Sequence, residues 1–137
     1  MNLLNKQITE HISLDDLKCH HCGELLLTDY VYHSIECMEN LRVFLGFRIQ
    51  FNDAHRCPFH NREVGGVSGS EHERIAFDCE PLREATDTDE TMKEKFDKMD
   101  AAAPGFGFHG IGTYKDENGK DRFRHLDCRE YEARWNG

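Results

Sequence analysis

No apolar run in this sequence approaches the roughly 20 residues that a membrane-spanning helix needs, which removes the helical channel and transporter classes. The N-terminal stretch MNLLNKQITEHISL lacks the continuous apolar centre of a secretory signal. Synthesis in the cytosol is therefore the expectation, with another route out for any work beyond it. Basic charge is scarce: 17 Lys and Arg stand against 26 Asp and Glu, for a net charge of -9. A phosphate backbone calls for a basic stripe. The one basic cluster, Lys120, Arg122, Arg124, Arg129 and Arg134, is interleaved with acids. Nucleic-acid and membrane partners are thus not expected. Internal repeats and low-complexity tracts are also missing.

Cysteine and histidine, by contrast, are plentiful, at 6 and 9 in 137 residues. Without a secretory signal, the cysteines read as thiols or metal ligands rather than a disulfide framework. The length suits one domain with one core, residues 1–137, in which 1–12 form a flexible or peripheral segment.

Periodicity supplies the elements. Ser13-Leu-Asp-Asp16 resembles a capping box and opens a short helical turn, after which CHHCGE (Cys19 to Glu24) forms a tight polar loop. Val31, Ile35, Met38, Leu41 and Leu45 recur at helical spacing, predicting an amphipathic helix that ends near Gly46. FRIQF alternates as a strand, residues 52–69 read as mostly loop, and RIAFD reads as a short strand. DTDETMKEKFDKMDAAA carries acids in its first turn and Met92, Phe96 and Met99 on one face, so it is a second helix. GFHGIGTY and DRFRHLDC read as strands joined by KDENGK, whose Asn118-Gly119 is a hairpin signal. The sum is an α+β domain, a small antiparallel sheet with flanking helices.

Within SEHERIAFD, His72 and Asp78 flank a short apolar run. They are either two ligands of a catalytic metal or an exposed histidine and a capping aspartate. A catalytic zinc takes three protein ligands and leaves a position open. His125 is the candidate third, because alternation in DRFRHLDC puts Phe123, His125 and Asp127 on one face and Arg122, Arg124, Leu126 and Cys128 on the other. A lone strand histidine is also a common structural residue.

AHRCPFHNREVGGVSGSEHERIAFD, then GIGTY, then FRHLDCREYEARW, resemble the M15 family of zinc peptidases. That family shares its fold with D-alanyl-D-alanine carboxypeptidases and the hedgehog signalling domain. The likeness runs from about Ser13 to Trp135 and is, more narrowly, similar to phage and bacterial murein-cleaving members. It implies zinc on His72, Asp78 and His125, an Arg56 that contacts substrate or the developing oxyanion, and a substrate-binding Ser70 just before the first ligand. It matches Asp127 to the aspartate of an H-x-D motif. Two positions depart from the pattern. Five residues, Glu73 to Phe77, separate His72 from Asp78 where the family usually has six including a glycine. In a continuous strand that deletion would turn Asp78 to the wrong face, so a bulge or a late strand start is expected. Arg122 stands where many members carry an acid, which leaves Asp127, on the His125 face, as the expected general base.

The implied activity is zinc-dependent cleavage of the stem or cross-link peptides of peptidoglycan by a monomer, acting on the wall after release or in a virion. The alternative is a metal-binding but inactive module of the same fold, such as a phage structural or assembly protein. Cys19 and Cys22 have the look of a zinc knuckle, for which Cys37 and Cys57 are possible further ligands; two surface thiols are the plainer reading. Cys79 and Cys128 read as packing against the sheet. His55, His60 and His109 read as loop residues near the pocket, with His109 able to orient substrate. The glycines of HGIGTY relieve crowding between strands.

Overall fold

The computed structural model describes residues 7–137. Residues 1–6 of the expected flexible 1–12 segment lie outside the described residues, and Ile12, at its end, is fully buried in the core. The first helix, α1 (Leu14–Leu17), begins where Asp16 accepts hydrogen bonds from the Ser13 backbone N–H and hydroxyl at 2.9 and 3.0 Å. Next comes α2 (Asp29–Leu45), capped by Thr28 and stopped at Gly46, whose φ of 75° is the left-handed conformation that glycine adopts without strain. Its Val31, Ile35, Met38, Leu41 and Leu45 stripe is buried, as the spacing predicts.

The chain then forms β1 (Ile49–Asp53), α3 (Pro58–Glu63), a 3₁₀ turn (Glu71–Glu73), β2 (Phe77–Pro81) and α4 (Asp89–Ala102). After a second 3₁₀ turn come β3 (Gly110–Lys115), β4 (Asp121–Asp127) and β5 (Ala133–Asn136). The strands make one sheet in the order β1-β2-β4-β3-β5. All neighbours are antiparallel except β3 and β5, which run parallel, so the sheet is mixed rather than wholly antiparallel. Within the stretch read as loop, Pro58 stands at the first helical turn of α3, where its missing N–H costs nothing, and the Cys57 thiol accepts from the His60 N–H.

One face of the sheet packs on the helices. Phe77 and Cys79 of β2, Ile111 of β3 and Leu126 of β4 join the α2 stripe and Phe96 and Met99 of α4 in the core. Arg124 also points into this face, only 2% exposed, where its guanidinium meets Asp100 at 2.7 Å and Asp121 at 2.8 Å. The opposite face of β2 and β4 is left free to line a cavity.

Candidate metal centre

Strand pairing delivers the first pair of side chains. Asp78 and His125 are directly opposed across β2 and β4. Opposed residues on one face have Cβ atoms about 5 Å apart. The Asp78 Oδ1 lies 3.3 Å from His125 Nδ1. His72 arrives from elsewhere: it sits in the 3₁₀ turn, where its backbone N–H donates to the Ser70 hydroxyl at 3.2 Å, and its Nε2 is 3.3 Å from the same Asp78 oxygen. The two imidazole rings stand 5.0 Å apart and nearly perpendicular, at 85°.

The shortened spacing between His72 and Asp78 is absorbed outside the sheet. RIAFD is not one strand: β2 begins only at Phe77, and Arg74 to Ala76 carry no strand pairing. Side-chain alternation therefore does not run from His72 to Asp78, and the parity of the count is irrelevant. The partner strand also shifts register, with Phe51 opposite Cys79 and Asp53 opposite Asp78. Asp78 lies near the start of its strand, not at the end.

Each histidine is fixed through its outer nitrogen. His72 Nδ1 donates to the Ala54 carbonyl at 2.7 Å, leaving the Nε2 lone pair toward Asp78. His125 Nε2 lies 2.6 Å from Asp127 Oδ2, leaving Nδ1 inward. Such outer partners set the tautomer and ring angle of metal-ligating histidines. One donor atom from each of His72, Asp78 and His125 falls within 4.8 Å of the others. Two neutral imidazoles and a carboxylate are the donor set that zinc accepts with a position to spare. The residues fit the ion.

Asp127 shares the strand face of His125, as alternation implies, yet it does not line the cavity. It is fully buried, and Arg129 grips it: Nε donates to Oδ1 at 2.8 Å, Nη2 to Oδ2 at 2.7 Å, and the Arg129 backbone N–H to Oδ1 at 3.0 Å. Burial pushes the Asp127 carboxyl up, but the hydrogen bonds from Arg129 and His125 outweigh it and hold it well below the usual range. A carboxylate so committed suits an anchor for His125 better than a proton acceptor. Burial likewise opposes ionisation of Asp78, and the His125 and His72 imidazoles beside it reverse that and hold its carboxyl low. For His125, burial disfavours the charged ring, but Asp127 and Asp78 raise its pKa above the ordinary histidine value.

The cavity around these groups is about 600 Å³ and is lined by Arg56, Ser70, Glu71, Tyr114, Arg129 and Trp135 among others. Arg56 is held by Asp53 Oδ2 at 2.6 Å and Asn61 Oδ1 at 3.2 Å, and its Nη2 lies 3.6 Å from Asp78 Oδ2. His109 is turned aside: its Nδ1 meets the Arg129 carbonyl at 2.7 Å and its side chain is not among those lining the cavity. Asp121 is tied to Arg124 and does not line the cavity. The glycines of β3 do relieve crowding. A Cβ on Gly110 would collide with the Asp127 carboxylate and the Arg129 guanidinium, and one on Gly112 would sit 2.6 Å from the Trp135 ring, which lies 4.9 Å from the His125 ring.

Three cavity residues have no part in the sequence expectation. Arg129 is two places beyond Asp127 but past the end of β4, so strand alternation does not place it. Trp135 reaches the site through β5, a parallel edge strand with no local signal. Glu71 adjoins His72 and lines the cavity; Arg74 Nη2 donates to its Oε2 at 2.7 Å and the Tyr30 hydroxyl lies 3.4 Å from the same oxygen.

Among known proteins, a family model described as Peptidase M15 matches residues 10–127. No curated protein matches the chain.

Proposed function

Because the chain belongs to the Peptidase M15 family, we propose that it is a zinc-dependent peptidase that cleaves stem or cross-link peptides of peptidoglycan. His72 Nε2, Asp78 Oδ1 and His125 Nδ1 would hold the ion. The observation that carries this reading is the convergence of those donors, each imidazole pinned by a bond to its outer nitrogen. Zinc, when bound in such a set, supplies Lewis acidity toward water and toward a scissile carbonyl.

The chain's own side chains divide the remaining work. Arg56, locked by Asp53 and Asn61 beside Asp78, grips a substrate carboxylate or steadies the oxyanion with donors that need no rearrangement. Asp127 and Arg129 hold the His125 ring. The proton of the attacking water goes to Glu71, the cavity-lining carboxylate outside the ligand set. Its Oε1 carries no hydrogen bond among the described residues, since Arg74 and Tyr30 both contact Oε2. Tyr114, Tyr131 and Trp135 give the cavity an aromatic wall. The choice of peptidoglycan rests on the likeness of the three motif blocks to murein-cleaving members, and two cavity arginines suit its carboxylate-bearing peptides.

The test is turnover. Zinc-loaded protein incubated with purified peptidoglycan should release new amino groups, and His125→Ala should abolish that release. Glu71→Gln should retain zinc and lose about 10²- to 10⁴-fold in rate, as removal of a general base does. Zinc bound stoichiometrically with no hydrolysis of any peptidoglycan type would favour the non-catalytic module instead.

A further inference from the structure

A second group of metal donors lies away from the cavity just described. The Sγ atoms of Cys19, Cys22 and Cys57 all fall within 4.8 Å of one another, although Cys57 is 38 residues from Cys19. His21 adds an imidazole, with Nδ1 3.8 Å from Cys57 Sγ. Thiolates around a tetrahedral zinc at about 2.3 Å stand roughly 3.8 Å apart, so these atoms need only small shifts to enclose the ion. Backbone donors already point at the sulfurs: the Cys57 N–H lies 3.4 Å from Cys19 Sγ and the His60 N–H 3.3 Å from Cys57 Sγ. The turn between the first two thiols is closed by the Gly23 N–H donating to the Cys19 carbonyl at 2.8 Å and the Cys19 N–H to the Glu24 carbonyl at 2.8 Å. Gly23 has φ 72°, which lets the chain double back immediately after Cys22.

We propose that Cys19, Cys22 and Cys57, with His21, form a structural zinc site that staples the loop after α1 to the start of α3. Three soft thiolates and one imidazole make a closed tetrahedral set with no open position, unlike the His72–Asp78–His125 set. The staple bears on the cavity through the backbone. Cys57 caps α3 and directly follows Arg56, and α3 contributes Asn61, which binds Arg56 at 3.2 Å and Glu73 at 3.0 Å. Metal at the cysteines thus steadies the Arg56 wall without touching the other three ligands.

Cobalt titration of the reduced, metal-free full chain tests this, because thiolate-to-cobalt charge transfer absorbs in the near ultraviolet and imidazole and carboxylate ligands do not produce it. The wild type should take two equivalents of Co²⁺ and develop the thiolate band with one of them. Cys22→Ser, at an exposed position chosen to preserve the fold, should weaken the affinity of that equivalent and reduce the band. The pair His72→Ala with His125→Ala should keep the band in full, so failure here is separable from failure of the peptidase site. Absence of a thiolate band in the wild type would overturn the proposal. So would a band that survives joint replacement of Cys19, Cys22 and Cys57 by Ser, which would move the site to the other thiol cluster, His33, Cys37 and Cys128.

Discussion

Replacing Asp127 with Asn separates an anchor from a base. The wild-type carboxylate receives three hydrogen bonds from Arg129 and one contact of 2.6 Å from His125 Nε2, all at a fully buried position. In Asp127→Asn the amide oxygen can still accept from His125, but the amide nitrogen then faces Arg129, donor against donor. Breaking one side of a buried ion pair costs about 3–5 kcal/mol. The Arg129 side chain is 14% exposed and can recruit water, which puts the expected loss at about 3 kcal/mol. Exchanging the charged outer partner of His125 for a neutral amide lowers metal affinity by about 10- to 100-fold. That equals about 1.4–2.8 kcal/mol of binding. Chelator competition reads the affinity, and denaturant unfolding of the metal-free protein reads the stability. Once zinc is saturating, turnover should return to near the wild-type rate. Unchanged zinc affinity with a rate defect of about 10²- to 10⁴-fold would refute this reasoning and make Asp127 the general base.

The raised pKa of His125 gives a pH prediction with two signs. In the metal-free protein its contribution to stability is fully present below the unfolded value of about 6.5 and is lost as pH rises through the folded value, while zinc affinity climbs over the same rise because the ion displaces that proton. Asp78, with its carboxyl held low, adds stability above about pH 4 that disappears on acidification. Metal-free protein whose stability is flat from about pH 6 to 8 would contradict the assignment. Gly112→Ala should push the Trp135 ring off His125, since the new Cβ would sit 2.6 Å from it. A stability loss of about 1–3 kcal/mol is expected, together with an altered tryptophan fluorescence; an unchanged spectrum would count against the packing.

The long helices were legible because their information is local: α2 and α4 each bury one stripe at helical spacing, and their ends carry Thr28, Gly46 and Thr88. The same holds for β4, where strict alternation put His125 toward the cavity and Arg124 toward α4. What the sequence hid depends on distant partners. The strand around Asp78 starts late because Phe77 is the first residue to find a partner on β4, which nothing in RIAFD reveals. β5 pairs parallel to β3 across the chain's last turn, so no hairpin signal marks it. The surroundings of Asp127 were hidden for a related reason: alternation fixes its face, whereas Arg129, folding back over it, decides whether it meets solvent.

Anomalous scattering at the zinc edge, from crystals grown with zinc, locates the ion among the His72, Asp78 and His125 donors. A peak is expected about 2.0–2.2 Å from His72 Nε2, Asp78 Oδ1 and His125 Nδ1, facing the cavity. Zinc absent from that position, or an Asp78 carboxylate turned away from both histidines, would contradict this placement.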